Sequence, residues 1–173
     1  MSIAIDAMVL IWGLKSAQHK GKKPSAHDVE MRRRTRILFE ELAEDKETVI
    51  VSSVVAAEVM AGIDPADHPN FAAELQGRFF LPPFNLQAAS IAATLWRQTR
   101  VLPKDEQPDR KTLKADVMIV AAARVAGATK LYSHDENLRK LAARIGITPS
   151  DLPKTARNLF AEGASRASSG DEE

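Results

Sequence analysis

The chain has 173 residues, 45% of them apolar and 27% charged, a balance that suits one folded domain burying about 70% of its unfolded surface and excludes disorder over most of the length. With no cysteine, disulfide frameworks, thiolate nucleophiles, iron–sulfur clusters and sulfur-ligated zinc are excluded, and a reducing cytoplasm fits. The formal net charge of +1 hides a basic stretch, because eight cations between Lys15 and Arg36 face only Asp28 and Glu30; such a segment points to a polyanion partner.

In chain order, Met1 to Asp6 reads as a short buried strand, β-branched at Ile3 and Ile5, followed by a helix over Met8 to Leu14. The Lys-, Gly- and Ser-rich run Ser16 to Ala26 reads as a loop, after which Met31, Thr35, Leu38, Phe39 and Leu42 recur at helical spacing. Thr48 to Ser52 predicts a second strand, Ser53 to Ala61 a helix stopped near Gly62, and Asn70 to Arg78 another helix. Phe79 to Phe84 reads as a third short strand, confined to an edge or a strand end by Pro82 and Pro83.

Ala88, Ile91, Ala92, Leu95, Trp96 and Thr99 form one helical face, and Pro103 to Arg110 a polar loop. The helix predicted over Lys111 to Ala126 is apolar nearly all round after Asp116, as a centrally placed helix must be. A strand at Lys130 to Tyr132 and a helix over Asn137 to Arg144 follow, and Ser165 to Glu173 reads as a mobile acidic tail. Neither long apolar run, Ile3 to Leu14 or Val117 to Ala128, suits a membrane span, and no cation precedes the first as in a signal peptide.

Strands alternating with helices predict a three-layer α/β/α architecture around a mostly parallel sheet, with one domain over residues 1–148 and a C-terminal segment and flexible acidic tail over 149–173. In such sheets, sites form at the carboxyl ends of the strands, where the following helices begin. Asp6 and Asp135 fall at two strand ends, while Glu58 and Asp116 lie early in helices that start at the same edge. Singly, each acid serves equally well as a cap or turn residue. Asp6 and Asp116, however, are embedded in apolar sequence, where an acid is costly unless paired. If the four converge, a cation is needed to hold them ionised, and oxygen ligands without cysteine favour Mg²⁺ or Mn²⁺ over zinc. Such a cluster suits in-line hydrolysis of a phosphodiester.

These segments resemble the PIN-domain family, and in size and layout the VapC-like toxins of toxin–antitoxin modules. Ile3-Ala4-Ile5-Asp6 is similar to the opening strand with its first acid, and Ser52 to Glu58 to the segment carrying the second. Ala115 to Ala123 resembles the central helix with the third acid, and Leu131 to Leu138 the strand end with the fourth. The resemblance covers residues 1–148 and implies an Mg²⁺- or Mn²⁺-dependent ribonuclease with Asp6, Glu58, Asp116 and Asp135 at the metal centre and Ser133 supporting it. It also implies an RNA substrate, a small antitoxin and a homodimer. Ala7 and Met8 depart from the small polar residues usual in the family after the first acid.

Lys20, Lys22, Lys23, Arg32, Arg33, Arg110 and Lys114 are candidate phosphate contacts, with solvation as the alternative. Trp12 and Trp96 could stack bases, although Trp96, on an apolar helical face, reads as core; His134 could act as a general acid or base but reads as a solvated strand-end histidine. An aspartyl phosphatase needs an Asp where Met8 stands, and a receiver domain one where Ser52 and Ser53 stand. An RNA-processing nuclease without antitoxin, or a catalytically weakened RNA-binding module, remains open.

Overall fold

A computed structural model of the chain describes residues 1–17, 23–103 and 109–155. Four strands, β1 (Ser2–Ile5), β2 (Thr48–Ile50), β3 (Lys130–Tyr132) and β4 (Thr148–Ser150), form one sheet in the order β2-β1-β3-β4. All three pairings are parallel, with Ile3 opposite Val49, Ala4 opposite Leu131, and Leu131 opposite Pro149. Parallel strands need long crossovers, and the helices that supply them cover both faces, so the central strands must be apolar throughout. In β1, Ile3, Ala4 and Ile5 are all buried. The α/β/α architecture read from the sequence is therefore the one observed, with a sheet that is wholly parallel.

The helices are α1 (Ala7–Gly13), α2 (Ala26–Glu44), α3 (Ser53–Met60), α4 (His68–Arg78), α5 (Leu86–Arg100), α6 (Arg110–Val125) and α7 (Glu136–Arg144). Ser25 and Asp28 make a reciprocal capping box at the start of α2, and Asn85 caps α5, each satisfying amide groups that a helix start leaves unpaired. Helices α6 and α7 end at Gly127 and Gly146, whose φ angles of 80° and 74° suit a residue without Cβ. Leu113, Val117, Ile119, Val120, Ala121, Ala122 and Ala123 bury several faces of α6, which packs chiefly on α5.

One expectation needs correction. Phe79 to Phe84 forms no strand: Phe80 alone bridges Ile50, donating its amide to the Val49 carbonyl at 2.9 Å and accepting from the Val51 amide at 3.0 Å. Pro82 and Pro83 have no amide with which to continue a ladder. At the edge of the sheet, β4 pairs with β3 over Thr148–Ser150. The loop expected over Ser16 to Ala26 starts with a 3₁₀ turn at Lys15–Ala17 and ends at Ser25. Its centre, most of the Pro103 to Arg110 loop and the tail from 156 lie outside the described residues. No described helix is long and apolar enough to cross a membrane.

Candidate active site

The parallel topology brings three helix starts to one edge of the sheet. Asp6 follows β1 and caps α1, Ser52 follows β2 and caps α3, and Asp135 follows β3 and caps α7. Asp6 is only 5% exposed. Its Oδ1 accepts the Val9 amide at 2.7 Å, and its Oδ2 accepts the Ser133 hydroxyl. Ser133 is fully buried, and its Oγ in turn accepts the Asp135 amide at 2.9 Å. Asp135 Oδ1 accepts the amides of Asn137 at 2.7 Å and Leu138 at 3.1 Å. A continuous chain of hydrogen bonds thus joins the ends of β1 and β3.

Glu58, in the second turn of α3, and Asp116, in the second turn of α6, complete the cluster from the side. Asp116 is pushed up to about 7, first by burial and then by the charges of Asp135, Glu58 and Asp6. Glu58 is raised by partial burial of its carboxyl and by the charge of Asp6. Burial raises Asp6 as well, against the hydrogen bonds from Ser133 and Val9, while Asp135 adds repulsion. Among the described residues, none of these four acids forms an ion pair. Four carboxylates from four elements therefore repel one another in one place, which is the electrostatic condition a divalent cation relieves.

The all-oxygen donor set fits a hard cation of the Mg²⁺ or Mn²⁺ type. As they stand, no three described His, Asp or Glu side chains form a closed ligand set.

Residues 3–144 match the sequence model of the PIN domain. The chain belongs to the PIN-domain family. Its fold is similar to that of a chain in the VapBC2 structure from Rickettsia felis, bound to a DNA fragment from their promoter. That likeness has 14% identity and a TM-score of 0.57, over 88% of this chain and 100% of the other. A chain of VapBC-1 from nontypeable Haemophilus influenzae is similar at 15% identity and a TM-score of 0.59, over 87% of this chain and 98% of that one. At such identities the likeness is one of fold. No curated protein matches by sequence.

The basic candidates of this PIN domain are dispersed. Lys20 and Lys22 lie outside the described residues, and Lys23 is exposed ahead of α2. Arg32 and Arg33 line a cavity of about 820 Å³ beside α2. Arg33 is already engaged, donating to both Glu30 carboxylate oxygens at 2.8 Å and to the Lys154 carbonyl at 2.7 Å. Arg110 is exposed at the start of α6, and Lys114 Nζ lies 6.0 Å from the Trp96 ring. Trp12 is buried, and Trp96, expected in the core, is partly buried and packs against the core.

Arg34 and Asp151 were not singled out by their sequence context. Arg34, only 7% exposed, reaches from α2 to the segment after β4, donating to Asp151 Oδ2 at 3.0 Å, the Pro153 carbonyl at 3.2 Å and the Leu152 carbonyl. Asp151 also holds His134 Nδ1 at 3.0 Å. Partial burial works upward on Asp151, but hydrogen bonds from His134, Arg34 and the Leu152 amide, with the Arg34 charge, hold it at about 2. The signal for Arg34 was its spacing, three residues after Met31 and four before Leu38 on the apolar face of α2.

Proposed function

We propose that the chain is a metal-dependent endoribonuclease that hydrolyses RNA phosphodiester bonds, with Asp6, Glu58, Asp116 and Asp135 as its carboxylates and Mg²⁺ or Mn²⁺ as its cation. The single observation that carries this reading is the gathering of acids at the carboxyl edge of a PIN-domain sheet, where Ser133 bonds both Asp6 and the Asp135 amide and Asp116 is buried among their charges. When bound there, a hard divalent cation supplies charge stabilisation for the scissile phosphate and its leaving oxygen. The chain's own residues do the positioning. Val9 and Ser133 fix both oxygens of Asp6, and the same Ser133 oxygen fixes the backbone at Asp135. Glu58, exposed on α3, and Asp116, on α6, flank the substrate side of this rigid pair and offer carboxylates to hold or orient a water. Lys23, Arg32 and Arg110 offer cations for flanking phosphates, with Lys20 and Lys22 in the same role if the basic segment acts as one surface.

The VapC-like layout extends the proposal to a toxin restrained by a small antitoxin and acting as a homodimer. The fold likeness to chains of two VapBC structures supports the antitoxin in that extension. The test compares cleavage of total RNA by the wild type with and without Mn²⁺, and by Asp6→Asn, Glu58→Gln, Asp116→Asn and Asp135→Asn, with mapping of the ends. Cleavage that requires the metal and each acid is expected. Undiminished cleavage in excess EDTA, or by Asp116→Asn, removes the four-acid mechanism. Growth arrest on expression of the wild type but not Asp116→Asn, rescued by a co-expressed antitoxin, is the expected result for a toxin. Harmless expression of an active enzyme favours an RNA-processing role.

A further inference from the structure

Three rings meet beside the acid cluster. The Trp12 indole on α1 has the His27 imidazole edge-on at 6.1 Å between centroids and the His134 imidazole edge-on at 6.3 Å, while the two imidazoles lie 5.8 Å apart. Trp12 is buried, whereas His27 and His134 are exposed. The bond from His134 Nδ1 to Asp151, itself held by buried Arg34, fixes one of the exposed rings. On one side the rings adjoin the acids, because His134 immediately precedes Asp135 and interacts electrostatically with Asp6. On the other side Trp12 forms a wall of the cavity of about 820 Å³ that Lys15, Arg32, Arg36 and Arg78 also line, with Glu40 as its acid, 3.9 Å from Arg36, and Arg78 paired with Glu74 at 3.0 Å.

We propose that His27 and His134, backed by Trp12, form a stacking subsite for a base of single-stranded RNA next to the scissile phosphate, and that the strand's phosphates continue into the cationic cavity. This rests on the ribonuclease reading of the acid cluster. Bases present a π face whatever their identity, and aromatic side chains already held in place capture one with little further loss of freedom. Stacking uses the ring faces and not their charge. The order of features, acids, rings and then cations, suits a nucleotide chain, which brings a phosphate for the first, a base for the second and further phosphates for the third. An acidic peptide would meet the same cations, but it brings no flat π face for the exposed imidazoles.

The experiment uses the full chain carrying Asp116→Asn, so that RNA is bound and not consumed, with a short labelled single-stranded RNA of mixed sequence as probe and fluorescence anisotropy as readout. Adding His134→Ala or His27→Ala is expected to weaken binding about 5- to 150-fold, the range of one lost base stack. His134→Phe and His27→Phe restore it, although His134→Phe cannot make the Asp151 hydrogen bond. In the active enzyme, the alanine changes are expected to raise KM more than they lower kcat and to alter the base preference at the mapped ends. If the wild type cleaves RNA while affinity and ends are unchanged by both alanine substitutions, the subsite is refuted and the ribonuclease reading stands. Failure of phenylalanine to restore binding also overturns stacking, in favour of the Asp151 bond or imidazole hydrogen bonding. A wild type that neither binds nor cleaves RNA overturns both readings.

Discussion

The burial of Asp116 and the repulsion around it lead to an expected change in stability that is independent of any nuclease assay. A carboxyl that ionises near pH 7 in the folded chain instead of at its ordinary 3.8 resists ionisation there, by about 4 kcal/mol at the limit of about 1.4 kcal/mol per pH unit. Asp116 keeps partial contact with solvent, whose screening reduces this to about 1–2 kcal/mol. The unfolded chain releases this proton near pH 4 and the folded chain only near pH 7. The folded state therefore binds more protons across that window, and stability falls as pH rises through it. Below about pH 4 the penalty is absent; above about pH 7 it is complete.

Asp116→Asn removes the charge and with it the penalty, and it also eases the ionisation of Glu58 and Asp6. In metal-free buffer with EDTA, its melting temperature relative to wild type should rise by roughly 2–8 °C at pH 8, taking about 2–4 °C per kcal/mol for a chain of this size. At pH 5 the gain should be less than half of that. Any packing effect of the amide is common to both pH values and cancels in the comparison. Mg²⁺ or Mn²⁺ at pH 8 should raise the wild-type melting temperature and move the variant's much less. An equal shift of the variant at both pH values, or a larger one at pH 5, would show that burial and neighbouring charge do not hold Asp116 above its ordinary range.

Ser133→Ala removes both the donor to Asp6 and the acceptor of the Asp135 amide. Thermal or urea unfolding should show a loss of about 1–3 kcal/mol per group left unsatisfied, and RNA cleavage should fall with it. Gly13→Ala places a Cβ 2.8 Å from Phe39 Cζ and 3.1 Å from the Thr35 methyl, which should cost about 1–3 kcal/mol. Adding Phe39→Leu should recover part of that loss. Arg34→Met removes the tie to the segment after β4, and hydrogen exchange at residues 148–153 should quicken. Because Asp151 is held at about 2, its stabilisation is present above its ordinary 3.8 and lost as pH falls towards 2. Arg34→Met should therefore flatten the acid side of the stability curve.

The features legible in the sequence were those in which a local pattern and its tertiary role coincide. Ile3 to Ile5 are apolar without alternation because β1 is covered on both faces, and α6 is apolar nearly all round because it is buried on several sides. Asp6 and Asp116 stood out because an acid in such surroundings is costly. What stayed hidden depends on partners distant in the chain. β4 is a three-residue edge strand, Thr148-Pro149-Ser150, with no hydrophobic period to announce it; it pairs only because β3 offers a free edge. Phe79 to Phe84 has a strand's apolar content without its ladder, since Phe79 and Phe84 pack against the core while half-exposed Phe80 makes an isolated bridge to Ile50. Arg34 sat within a run of arginines, and its burial follows from the return of the chain at Asp151 to Pro153, more than a hundred residues later.

Ala7 and Met8, the departure from the usual family residues after the first acid, have a physical resolution in the structure. Small polar residues there would offer Asp6 hydrogen bonds from its own helix. Asp6 instead takes one from the Val9 amide as cap of α1 and one from Ser133 across the sheet. Both oxygens are engaged without residues 7 and 8, so Ala7 packs against the core and Met8 is left 44% exposed. The support comes from the end of β3, because among the described residues Ser133 joins Asp6 to Asp135. On this argument Met8→Ser should leave cleavage within about twofold of wild type, a change under about 0.5 kcal/mol, while Ser133→Ala should lower it at least tenfold. A large gain from Met8→Ser would show that Asp6 is under-supported and that Ser133 does not replace the missing contacts.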